Sequence, residues 1–366
     1  MTPEEPRPNA DPPPADSPIE ALEKKIGLRL DAIHKARAKT RELLDELSSV
    51  LADIDDSNCA VVVTGSLGRG EASSNSDADW FLLVDGPSNP DHARMAREIE
   101  QRTHEILETP HGSTRTFGEI VASHELVHYI AGTRDTNENL TRRILLLAES
   151  RAITRPAVRE RVIRNVLARY VKHEPSVRSK SGRRQRIPHF LLNDVVRYWR
   201  TMASDFASKM WEQARDKWAI RNIKLRFSRK LLFVWGLLAS FSGELVDPGP
   251  LEEARTDEEF LALLSDLIRE QTEVTPLELL ARISADESVK EETARTIFSA
   301  YDSFLAALCD PATRNHLKSV RFEEAADDEV FHRLRTLSKD FRFSINDLFF
   351  DQHPKLKKLI RDYGVF

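Results

Sequence analysis

Apolar residues recur along the first part of the chain at two different periods. Ile19, Leu22, Ile26, Leu30 and Ile33 follow one another at helical spacing, and Leu43, Leu44, Leu47 and Leu51 resume the pattern. Ser17-Pro18-Ile19-Glu20 opens the stretch as a capping box with proline at the first helical position. The spacing predicts one long amphipathic helix, or two, ending near Asp53. Continuous apolar runs then replace the helical period. Ala60–Val63 and Trp80–Val84 read as strands, separated by a break at Thr64-Gly65-Ser66 and a polar stretch. Asp85–Pro90 reads as a loop, Asp91–Leu107 as a helix and Thr109–Ser113 as a turn. Thr114–Ile130, rich in Thr, Phe, Val, Ile and Tyr, reads as a third strand region with a break. From Asn139 onward the pattern is helical, through Leu140–Ala148, Ala157–Tyr170, Phe190–Met202, Asp205–Lys217 and Ala219–Ser240. After a break at Asp247–Pro250, acidic helices are expected to the end of the chain.

Two carboxylates, Asp77 and Asp79, stand just before the second apolar run. Strand alternation puts both on one face, with Ala78 and Trp80 on the other. Two acids on one face repel unless a cation sits between them. Mg²⁺ suits that place, because it takes carboxylate oxygens and shares its other positions with water and phosphate.

Gly65-Ser66, ten further residues, then Asp77-Ala78-Asp79 and an apolar strand resembles the signature of the DNA polymerase beta-like nucleotidyltransferase superfamily. The longer string Gly65-Ser66-Leu67-Gly68-Arg69-Gly70-Glu71…Ser76-Asp77-Ala78-Asp79 looks most like its bacterial branch related to protein-PII uridylyltransferases. The resemblance implies an α+β fold, with a small mixed-sheet nucleotidyltransferase core followed by a mostly helical domain. It also implies transfer of a nucleoside monophosphate from an NTP to a hydroxyl, with release of pyrophosphate. Gly65 and Ser66 would cradle phosphate, Arg69 would assist, and Asp77 and Asp79 would hold two Mg²⁺ ions during turnover. The acceptor is left open between a protein, a small molecule, a second nucleotide and RNA. A catalytically silent protein that binds nucleotide and regulates is the bland alternative.

The superfamily adds a third carboxylate from a neighbouring strand, and Thr114–Ile130 should supply it. Glu119 and Glu125 both qualify; apolar Leu126-Val127 after Glu125 favour it as the third catalytic acid beside Asp77 and Asp79. The same segment carries a rival motif, His124-Glu125-Leu126-Val127-His128, which fits the HExxH pattern of zinc peptidases. On a helix its histidines lie one turn apart and can share one zinc, with Glu149 as a candidate third ligand. On a strand they stand about 13 Å apart, too far for one ion.

Composition narrows the classes further. The chain has 366 residues, 40% of them hydrophobic, and a net charge of −5, so overall charge gives no argument for nucleic acid. Cation density is uneven. Ser176–Arg186 is expected to be a basic loop, and Arg221, Lys224, Arg226, Arg229 and Lys230 put cations on one helix, with Arg197 and Arg200 before it. A helical domain of this kind can present cations to a triphosphate; a solvated face paired with the acidic C-terminal helices is the plainer reading. Cys59 and Cys309 are far apart and form no CxxC pair, which favours a reducing, cytoplasmic setting. No apolar run is long enough to span a bilayer. The expected organisation is a disordered tail over 1–16, an N-terminal helix over 17–56, the core over 57–135, a helical domain with a basic face over 136–245 and a C-terminal helical region over 246–366.

Overall fold

The structure, a computed structural model, describes residues 17–54, 56–74, 76–107, 118–172, 184–212, 217–246 and 249–364. The expected tail over 1–16, the turn at 109–113 and most of the basic loop over 176–186 lie outside the described residues. The N-terminal apolar period forms two helices, α1 (Pro18–Ile26) and α2 (Asp31–Val50). Ser17 and Glu20 make the expected reciprocal capping box. Gly27, at φ +59°, ends α1 in the left-handed region and parts it from α2.

Next come β1 (Cys59–Val63), a short helix α3 (Gly65–Arg69), β2 (Trp80–Val84), α4 (Asp91–Ile106), β3 (Glu119–Ala122) and α5 (Ser123–His128). Then follow α6 (Asn137–Ala148), β4 (Arg151–Ala152), α7 (Pro156–Lys172) and α8 (His189–Glu212), the last joining two expected helices into one. The four strands lie in the order β3-β2-β1-β4. β1 pairs antiparallel with β2 and with β4, while β2 and β3 are parallel, so the sheet is mixed. The fold is α+β, a small mixed sheet amid many helices.

The central strands are apolar at every position because both faces are covered. Val61, Val63, Trp80 and Leu82 pack on one face with Leu43 and Leu47 of α2 and Ile99 of α4. Ala60, Val62, Phe81 and Leu83 face the other way, into a larger core that takes in helices from Ile19 to Ile360. That larger core draws on both sides of positions 135 and 245, where the sequence suggests divisions.

The helical part continues as α9 (Trp218–Lys224), a wide π-type turn over Leu225–Arg229 and α10 (Lys230–Ser240). After α11 (Ser242–Leu245) and α12 (Gly249–Glu253) come α13 (Asp257–Glu273), α14 (Pro276–Ser284), α15 (Glu291–Cys309), α16 (Pro311–Ser319), α17 (Glu329–Asp347) and α18 (Pro354–Leu359). α15 packs on α2 and α17, and α16 on α9, which brings the C-terminal helices back against the N-terminal part of the chain. No helix among the described residues is long and apolar enough to cross a membrane.

One expectation changes in kind. Of the expected strand region Thr114–Ile130, residues 114–117 lie outside the described residues, and in the described part β3 covers only the four residues that pair with β2. Once its partner ends at Val84 the chain turns, the Ser123 hydroxyl donating to Asp85 Oδ1 at 2.6 Å, and Ser123–His128 coils into α5.

Candidate active site

Strand parity aims the acid pair. Asp77 and Asp79 share the odd-numbered face of β2 with Phe81 and Leu83, the face turned toward the helical region. Ala78 and Trp80 are buried on the opposite face, as alternation requires. Both aspartates line a narrow cleft with Gly65, Ser66, Ser73 and Ser76. Neither carboxylate has a hydrogen-bond or ion-pair partner among the described residues. Enclosure pushes the Asp79 carboxyl up to about 6; Asp77 and Glu149 push the same way, against the pull of Arg229 and Lys224.

Gly65 fits this position for two reasons. Its φ is +66°, and a Cβ there would lie 2.6 Å from Asp79 Oδ2. Behind it stands Glu149, which the sequence pattern offered only as a zinc ligand. β4 pairs antiparallel with β1, Val63 opposite Arg151, and continuing that register sets Glu149 opposite Gly65. The Gly65 N–H donates to Glu149 Oε1 at 3.1 Å. A Cβ on Gly68 would lie 1.6 Å from the Glu149 carbonyl oxygen, so only glycine lets α3 press against the end of α6.

Arg69 is the hub of this layer. It is 8% exposed, its Nε donates to Glu71 Oε2 at 2.7 Å, and its Nη1 pairs with Glu149. Tyr301 of α15 donates its hydroxyl to Glu71 Oε1 at 2.6 Å. The buried Arg69 guanidinium thus serves both acids, and Glu149 also pairs with Arg229 at 3.9 Å, which leaves Asp77 and Asp79 as the uncompensated carboxylates of the cleft.

The facing wall is cationic. Lys224, Ser228 and Arg229 reach it from the helix over Trp218–Ser240, and Arg314 from α16. In a regular α-helix, positions five apart lie roughly 140° apart around the axis. The π-type turn over Leu225–Arg229 bonds i to i+5 and carries Lys224 and Arg229 to one side, a distortion common at functional sites. Burial pulls the Lys224 ammonium down to about 8, helped by Arg314 and Arg229 and opposed by Asp77 and Asp79. Arg314 is 5% exposed, and its Nε has no hydrogen-bond partner. Buried cations held this way, opposite unpaired acids, suit an anion that bridges to a metal between the aspartates.

Residues 27–143 match the family profile described as Putative nucleotidyltransferase DUF294. No curated protein matches the chain. The matched segment carries β1, the Gly65-Ser66 turn, Asp77, Asp79, β2 and β3, and it supports a domain of the nucleotidyltransferase superfamily and hence a transferase. Glu149, Lys224, Arg229, Tyr301 and Arg314 all lie beyond it, so the helical region builds half of the cleft around the matched segment.

The other expected site residues are dispersed. Glu125 sits on α5, past the C-terminal end of β3, whereas Asp79 precedes the N-terminal end of the parallel strand β2; the two lie at opposite ends of the sheet. Glu125 as a third acid beside the pair is therefore corrected, because the strand that was to carry it ends at Ala122. Glu119 shares the Asp79 face but pairs with Arg142 at 2.7 Å and does not line the cleft.

The HELVH histidines do come together on a helix, with ring centroids 4.7 Å apart beside a cavity of about 420 Å³. Among the described residues no third Cys, His, Asp or Glu joins them at metal-ligand distance. Glu149, the candidate third ligand, is held by Gly65 and Arg69 instead.

The basic helix divides. Lys224 and Arg229 face the cleft, while Lys230 lies 5.4 Å over the Trp199 ring and Arg226 donates to Asn222. Arg197 pairs with Asp135, and Arg184 and Arg186 pair with Asp257 and Glu252 of the acidic helices.

Proposed function

We propose that the protein is a Mg²⁺-dependent nucleotidyltransferase that moves a nucleoside monophosphate from an NTP to a hydroxyl-bearing acceptor and releases pyrophosphate. The observation that carries this reading is the cleft itself: two unpaired carboxylates on one strand face, opposite Lys224, Arg229 and Arg314. An all-oxygen pair without protein partners fits a hard divalent cation. Asp77 and Asp79 would hold Mg²⁺, which when bound would polarise phosphate oxygens and make the acceptor hydroxyl easier to ionise.

The chain's own residues do the rest. Ser66 offers a hydroxyl to the phosphates, and the three cations offset the charge that grows on the leaving pyrophosphate. The acceptor oxygen attacks the α-phosphorus, the bond from the α-phosphorus to the bridging oxygen breaks, and the acceptor proton leaves to a carboxylate or to water. Arg69 holds Glu71 and Glu149 and so positions the Gly65 turn. The free volume of the cleft is about 60 Å³. That is far below the ~300 Å³ lower bound of ordinary ligand pockets. The cleft therefore has to widen for the nucleoside to enter.

The test is transfer of label from each α-phosphate-labelled NTP, with Mg²⁺, to RNA, small alcohols, or protein including the chain itself. Asp77→Ala and Asp79→Ala should each abolish transfer while leaving the circular dichroism spectrum unchanged. Turnover retained in both variants would overturn the assignment. NTP binding with no transfer to any acceptor would point to the silent regulatory protein.

A further inference from the structure

A second constellation lies at the far end of β1. Cys59 opens that strand, Asp56 stands in the loop before it, and His92 is in the first turn of α4. Cys59 Sγ lies 3.4 Å from His92 Nε2, and Asp56 Oδ2 lies 3.9 Å from the same nitrogen. The three donor atoms all fall within 4.8 Å of one another, the one such trio among the described residues. Cys59 is 2% and His92 5% exposed.

Shared use of Nε2 separates this trio from a nucleophilic relay. In a thiol–imidazole–carboxylate relay the thiol and the carboxylate bond to opposite ring nitrogens. Here both converge on one nitrogen, as ligands converge on a common centre. The dimensions agree with a tetrahedral ion. Metal–sulfur and metal–nitrogen bonds of about 2.3 and 2.0 Å give a tetrahedral S···N edge of ~3.5 Å. The observed 3.4 Å matches that edge, and the 3.9 Å N···O separation closes with a small turn of the carboxylate. That carboxylate is already steered, since its other oxygen, Oδ1, accepts the Asn58 N–H at 2.7 Å.

We propose that Asp56, Cys59 and His92 form a zinc site, with water as the fourth ligand, that fastens the α2–β1 loop to α4. Thiolate, imidazole and carboxylate together suit borderline Zn²⁺ and not the hard Mg²⁺ assigned to the aspartate pair. One thiolate and one carboxylate also neutralise the ion. Cys59 and Gly65 are six residues apart along an extended strand, roughly 20 Å, so the two metal sites are separate. The site is a staple for the sheet and is independent of the transfer chemistry.

The experiment loads the full chain, stripped by chelator, with Co²⁺ and with Zn²⁺. Wild type should bind one Co²⁺ that gives a thiolate-to-metal charge-transfer band, apart from any Co²⁺ taken by the aspartate pair, and Zn²⁺ should raise its melting temperature. Cys59→Ser and His92→Gln should each lose the band and the thermal shift. Both should persist in Cys309→Ser and in the Asp77→Ala/Asp79→Ala double variant, neither of which touches the trio. His92→Gln leaves β1 intact and decides the matter if Cys59→Ser fails to fold. Absence of the band in wild type, its survival in Cys59→Ser, or its loss in Cys309→Ser would overturn the proposal.

Discussion

Asp79→Asn should make the metal-free protein more stable while removing its metal-dependent function. In the fold the Asp79 carboxyl titrates at about 6 against an ordinary value of 3.8, with enclosure as the main cause. A tenfold change in proton affinity corresponds to ~1.4 kcal/mol, so the ionised carboxylate costs about 3 kcal/mol of folding stability above pH 7. Asparagine keeps the shape and removes that charge. For a chain of this length unfolding as one unit, about 3 kcal/mol is a rise of ~4 °C in melting temperature.

The sign of the pH dependence follows from the raised value. Below the unfolded value the acid is protonated in both states and the penalty is absent. It grows as pH rises from the unfolded value toward the folded value of about 6 and is complete above it. The gap between variant and wild type should therefore be largest near pH 8 and fall to about half near pH 5. Thermal melts in chelator at the two pH values measure this directly. An Asp79→Asn protein less stable than wild type at pH 8 would refute the reasoning. It would mean that the carboxylate is a structural acceptor and not an uncompensated charge awaiting a cation.

Three further outcomes test neighbouring parts of the cleft. Gly65→Ala forces a side chain into the left-handed region and against Asp79, so it should cost about 1–2 kcal/mol in melts and abolish Mg²⁺-dependent NTP binding. Tyr301→Phe deletes the hydroxyl that donates to Glu71; urea unfolding should show a loss of about 1–2 kcal/mol. Arg314→Met removes a buried cation whose Nε is unbonded, so stability should hold or rise while NTP binding weakens ~10-fold or more by calorimetry.

Much of the core was legible because its physics is local. Apolar runs without alternation announced strands covered on both faces, and parity told which face Asp77 and Asp79 occupy. The capping box at Ser17 set the start of α1. What escaped depended on distant register or irregular backbone. Glu149 meets Gly65 only because a two-residue strand pairs with the end of β1, and no periodicity marks so short a strand. Helical spacing would separate Lys224 from Arg229; the wide turn between them reunites the two. Arg314 sits on a helix with no motif, and it reaches the cleft through the packing of α16 on α9. For Glu125, β-forming composition in Thr114–Ile130 hid the fact that β2 offers pairing for only a few residues.

The central claim is that the cleft binds an NTP through a cation between Asp77 and Asp79 and through the facing basic wall. Calorimetric titration of the purified chain with each NTP, with and without Mg²⁺, tests it most directly. At least one NTP should bind, and that binding should require Mg²⁺ and disappear in the Asp77→Ala/Asp79→Ala double variant. Binding indifferent to Mg²⁺ and unchanged in that variant, or no binding of any NTP, would contradict the claim.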